Sequence, residues 1–192
     1  MIARAGLALA VGVVAIGAVL MRGRPAEIVA SAPAPVVSSS GATSAKPTKL
    51  DGKTSIDEVG RAFVAALAAH DRAALEKLTP SYAEYSTLLY PDFVKAGEPL
   101  IGSMGLQWAW DNLAHASYKD LNRLMDELGG EKLTFESITT ANDQPRGAAS
   151  IYPKVLVKAK DESGKTVEIR AMFAIVARDG AFKVLRYRQN WD

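Results

Sequence analysis

The chain has 192 residues, 48% of them hydrophobic, with 23 Lys/Arg against 21 Asp/Glu and a formal charge of +2. It has no cysteine, which excludes disulfides, thiolate catalysis, Cys-ligated zinc and a lipoprotein anchor, and its two histidines, His70 and His115, are too few for a histidine-rich metal site. The basic excess lies in the first 50 residues, so the remainder, with 18 basic and 20 acidic residues, has no stripe to neutralise a phosphate backbone, and nucleic acid is not an expected partner.

Residues 5–21, AGLALAVGVVAIGAVLM, are uncharged and would make roughly 25 Å of helix, flanked by Arg4, Arg22 and Arg24. The small-x-small sequences Ala30-Ser31-Ala32 and Ala32-Pro33-Ala34 stand far from this run, and each precedes a proline. An uncleaved signal anchor over 1–24 is therefore expected, with secretion after cleavage as the alternative. Residues 25–50, rich in Ala, Pro, Ser, Thr and Val, hold too little large apolar surface to fold and read as a disordered linker. Positive charge on both sides of the apolar run leaves the positive-inside rule little to discriminate. The spacer places the domain, 51–192, outside the cytoplasm at a bacterial envelope, with the membrane as partner through residues 5–21.

The first helix begins at Ser55, where Ser55-Ile56-Asp57-Glu58 reads as a capping box and Ile56, Val59, Phe63 and Leu67 recur at helical spacing. His70-Asp71 breaks it, Asp71 caps a second helix through Leu78, and Pro80 stops that one. Residues 81–103 are interrupted by Pro91, Gly97, Pro99 and Gly102 and read as a short helix followed by an irregular loop. From Gly105 to Leu128, Leu106, Trp110, Leu113, Ser117, Leu121, Leu124 and Leu128 form one stripe on a long helix, ended by Gly129-Gly130. The period then changes to two. A first strand carries Leu133 and Phe135, a second runs from Ile151 to Lys160, and a third alternates through Val167, Ile169, Ala171, Phe173 and Ile175. Arg178-Asp179-Gly180 marks a hairpin into a fourth strand, Ala181 to Asn190. These elements define an α+β class: N-terminal helices and one long helix packed on a curved antiparallel sheet of about four strands.

The stretch from Phe63 to Pro80, FVAALAAHDRAALEKLTP, followed by a long helix and a strand meander with a late Asp-Gly hairpin, resembles the nuclear transport factor 2-like, or SnoaL-like, cone fold. Glu84-Tyr85 through Tyr90-Pro91 is similar to a segment of bacterial secreted proteins of this kind. The resemblance spans residues 51–192 and implies a cavity between a curved sheet and the helices. Members use that cavity for isomerase, cyclase or hydrolase chemistry, for ligand binding, or leave it as scaffold, so the fold alone does not choose a function. The enzymatic members carry carboxylates on inward strand positions. Here Glu168 is out of phase with the apolar face, and no catalytic residue and no cofactor is expected.

Two clusters are candidate sites. In WAWDNLAHASYK, residues 108–119, Trp110 belongs to the core stripe while Trp108 points to another face, with Asp111 and His115 spaced i, i+4. These two form either an acid–base dyad beside an aromatic wall or a solvated helix pair. On the last strand, Arg186 and Arg188 share a face and, with Arg170, either hold an anion or form a basic face balanced by Glu168. Tyr85, on the segment before the long helix, completes the candidate ligand-binding set. The expected function is a membrane-tethered extracytoplasmic binding or assembly domain. The alternatives are a carrier of a small apolar or anionic ligand in the cone cavity and, behind it, an isomerase or hydrolase. A second copy or an envelope protein is the open choice of protein partner.

Overall fold

The computed structural model describes residues 46–98 and 103–188. The signal anchor, most of the linker and the end of the fourth predicted strand lie outside these residues, as do Pro99 and Gly102. No helix among the described residues is long and apolar enough to cross a membrane. The domain is α+β, with α1 Ile56–Ala68, α2 Arg72–Lys77, α3 Tyr82–Glu84, a π turn Tyr85–Leu89, α4 Tyr90–Lys95 and α5 Leu106–Leu128. Seven strands follow: β1 Thr134–Thr139, β2 Gln144–Arg146, β3 Ala149–Pro153, β4 Leu156–Lys160, β5 Thr166–Ile169, β6 Met172–Arg178 and β7 Ala181–Tyr187. They form two antiparallel sheets, of order β1-β4-β5 and β2-β3-β6-β7.

The expected second and third strands each exist as two pieces. Pro153 has no N–H to donate, and Lys154 sits at φ 56°, so the chain turns out of one sheet at that point and enters the other. Opposite it, Arg170 and Ala171 separate β5 from β6. One long bent hairpin thus supplies β4-β5 to the first sheet and β3-β6 to the second. The hairpin at Asp179-Gly180 forms as read, with both residues at positive φ, 51° and 75°.

Ser55 caps α1 by accepting from the Glu58 backbone N–H at 3.1 Å. The Glu58 carboxylate, however, takes the Thr54 backbone N–H and hydroxyl, both at 2.8 Å, rather than closing the box on Ser55. The closed box is at Ser81-Tyr82-Ala83-Glu84. The segment expected to become a loop after a short helix stays helical to Lys95. Pro91 follows directly on a π turn, and the missing N–H falls where the helical ladder is already widened. That turn is closed by the Tyr90 N–H on the Tyr85 carbonyl.

Two cores lie on opposite faces of β2-β3-β6-β7. One joins Val59, Phe63, Leu67, Leu121 and Leu124 to Ile175, Val184 and Tyr187. The other joins Tyr85, Leu89, Phe93 and Ala109 to Ala174, Val176 and Leu185. Alternation along β6 sends Ile175 to the first core and Ala174 and Val176 to the second. Leu50, which the linker reading left outside, belongs to the second core and is 2% exposed.

The outer edge of β7 is covered rather than left as a template for another strand. Phe182 exchanges backbone bonds with Lys53 at 2.8 and 2.9 Å, and Val184 donates to the Leu78 carbonyl at 2.9 Å. Tyr187 donates its N–H to the Ser117 hydroxyl of α5 at 3.2 Å. Gly52 lets the N-terminal arm approach this closely, because a Cβ there would stand 2.6 Å from the Phe182 carbonyl oxygen. Gly52→Ala is therefore expected to peel the arm from β7. Hydrogen exchange at the Phe182 amide should accelerate at least about tenfold, the change that a loss of roughly 1.4 kcal/mol of local protection gives; an unaltered rate would show that the backbone absorbs the methyl.

Candidate functional site

A cavity of about 370 Å³ lies between the helical layer and β2-β3-β6-β7. The π turn contributes Tyr85 to its wall, α4 Phe93, α5 Trp108, β3 Ile151, β6 Phe173 and β7 Leu185. Polar groups at the wall are few: Asn112, Gln144, the Glu98–Arg146 ion pair, and Arg186.

At the cavity wall β6 and β7 fall out of register against each other. Met172 pairs with Tyr187, Ala174 with Arg186 and Ile175 with Val184, which leaves Phe173 and Leu185 as extra residues on their strands. Both extra residues line the cavity. The alternation of the third strand predicted Phe173 in the core beside Ile175; instead the bulge turns it to the mouth, 41% exposed. Trp108, 40% exposed, shares this wall.

The two tryptophans answer to different spaces. Trp108 lines this cavity, whereas Trp110 lines a second one of about 290 Å³ with Ser117, Leu121 and Tyr187. Trp110 also packs against Tyr85 and Tyr82, with ring centroids 5.5 and 5.4 Å apart. Leu113 lines both, so α5 stands between them with one aromatic on each side.

The remaining sequence-predicted residues divide. Asp111 and His115 are both exposed, and the Asp111 carboxylate accepts from Gln107 Nε2 at 2.8 Å, so the i, i+4 dyad is not assembled. Arg170 lies beyond β5, pairs with Glu168 at 3.6 Å and takes no part in the cavity. Glu168 also holds Lys158 at 3.2 Å, so it does not balance Arg186 or Arg188. Those two cations stack on Phe173 instead, at 5.0 and 5.7 Å from its ring centroid. Tyr85 is only 1% exposed, and burial, then Tyr90, pushes its phenol up to about 12.

Sequence reasoning did not anticipate the two buried carboxylates. Glu84 binds Lys183 Nζ at 2.9 Å and accepts from Ser81 and Asp51 backbone N–H groups at 2.8 and 2.7 Å. Burial pushes its carboxyl up, but the Ser81 and Asp51 donors and Lys183 outweigh that and hold it below the ordinary value. Asp92 pairs with Arg178 at 3.1 Å under the β2–β3 turn. The Ser-x-x-Glu spacing at 81–84 was the signal available for the first; the second has none, since its partner lies 86 positions along the chain. Neither carboxylate lines the cavity. Among the described residues no three His, Asp or Glu side chains group as metal ligands.

Comparison with known proteins finds no family model, no curated protein and no solved structure that matches the chain.

Proposed function

We propose that the chain is a membrane-tethered, extracytoplasmic binding domain of the nuclear transport factor 2-like type, and that it holds a small ligand in the 370 Å³ cavity. The cavity carries this reading. Its volume is in the range of small-molecule sites, its wall is mostly apolar, and its few polar groups are the kind that orient a ligand. The order of short helices, long helix and bent antiparallel strands supports the fold resemblance. The anchor and the exposure to the envelope rest on residues 5–21 and the spacer that follows. Pairing of two copies through a bare sheet is less favoured, because both faces of β2-β3-β6-β7 are packed under the two cores. The outward side chains of the other sheet include Lys158 and Glu168, which pair with each other.

Native mass spectrometry of the full chain, extracted gently from its own envelope, tests the reading. The expected result is excess mass that leaves on denaturation and is missing from Ala109→Trp, which fills the cavity from the α5 wall. A wild-type chain that carries only detergent and protein partners would remove the ligand reading.

A further inference from the structure

We propose that the ligand is a small amphipathic monoanion: an apolar body enclosed by the cavity, with one carboxylate held at the mouth by Arg186 and assisted by Arg188. This rests on the cavity being a binding site and adds what it selects.

The argument begins with charge. Of the three charged side chains that the described residues bring to the wall, Glu98 and Arg146 pair with each other, which leaves Arg186 without a countercharge among them. Among the described residues neither Arg186 nor Arg188 has a carboxylate within 4.0 Å, and Glu168 is taken by Lys158 and Arg170. The one excess cation within the apolar wall, with Arg188 outside it on the same Phe173 ring, suits a planar carboxylate.

Placement agrees. Among the described residues the buried Arg186 Nε has no hydrogen-bond partner, a state that calls for an acceptor. Side chains with such atoms among the described residues are those of Arg72, Asp92, Arg178 and Arg186. The first three each touch an opposite charge, Glu76 for Arg72 and one another for Asp92 and Arg178, whereas Arg186 touches none. Phe173 carries both guanidinium groups over its ring, with their central carbons 5.0 and 5.7 Å from its centroid, and so gathers the two cations at the mouth. The bulge that turns Phe173 outward therefore builds the apolar rim and the anion clamp together.

The test compares octanoate with octanol, which share a chain and differ in charge. The full chain in zwitterionic nanodiscs is titrated with each, free concentrations are set by dialysis, and tryptophan emission is read with Trp108→Phe as the control that assigns the signal to the cavity. Octanoate is expected to bind about tenfold or more tightly than octanol, the factor that a charged hydrogen bond supplies. Arg186→Gln should bring octanoate to the level of octanol while octanol stays unchanged, which also reports that the variant is folded. Arg186→Lys should recover part of the preference. Equal binding of the two by the wild-type chain overturns the anion inference and leaves the cavity reading standing. Binding of neither overturns both.

Discussion

Lys183→Met will destabilise the domain by about 3–5 kcal/mol, the cost of leaving a buried charge without its partner. Lys183 and Glu84 are each 7% exposed at the side chain, and the ammonium also donates to the Thr79 carbonyl at 3.3 Å. Replacing Lys183 strands the Glu84 carboxylate among backbone donors from Ser81 and Asp51. The double change Glu84→Gln with Lys183→Met should cost less than Lys183→Met alone, because no orphan charge remains. Urea unfolding of the unit from Thr43 onward measures all three. A single-variant loss under about 1 kcal/mol would put the pair in the class of solvated surface bridges instead.

The pH dependence of this pair has a defined sign. The folded Glu84 carboxyl lies below the ordinary value of 4.5, so its contribution is complete above that value and is lost as pH falls through the depressed one. In Lys183→Met the stranded carboxylate gains by taking a proton. The gap between wild type and variant should therefore narrow as pH drops below the carboxylate range.

Tyr85→Ala is the second large effect, again about 3–5 kcal/mol, from lost burial plus the space left behind. Tyr85 touches Trp110, Phe93 and Tyr90, with ring centroids 5.5 to 6.3 Å away, and walls the 370 Å³ cavity, so little can collapse into its place. Tyr85→Phe keeps the volume and should cost less than about 1.5 kcal/mol. Thermal unfolding separates the two; comparable losses would show that the hydroxyl rather than the ring holds the wall. Since burial raises the phenol to about 12, wild-type stability at this group is complete below pH 10 and is lost as pH rises from 10 toward 12. Tyr85→Phe should flatten that alkaline loss.

Both effects act on the π-turned segment from Ser81 to Lys95, where sequence reading had its poorest purchase. Pro91 and Gly97 are breakers by propensity, and they predict a loop when nothing else is known. In the fold Pro91 sits just past the π turn of a continuing helix, and Gly97, at φ 78°, ends it. The buried Glu84 gave a local sign as a capping box, but its partner Lys183 lies 99 positions away. No window of sequence relates such residues.

What the sequence by itself determined was local. Apolar spacing specified α1 and the 23-residue α5, Asp71 and the glycines placed helix ends, and Asp179-Gly180 placed the last hairpin. Each depends on neighbours within a turn or two, so period and capping chemistry suffice. Tertiary structure decided the rest. It bent two strands into two sheets and slipped β6 against β7, so that Phe173 left the core for the cavity mouth and Leu185 lined its wall. It also placed Trp108 and Trp110 in separate spaces and gave Glu168 to Lys158 and Arg170 rather than to Arg186. Register between strands is a property of pairs, and a one-residue bulge reverses which face a side chain takes, so alternation along a single strand cannot reveal it.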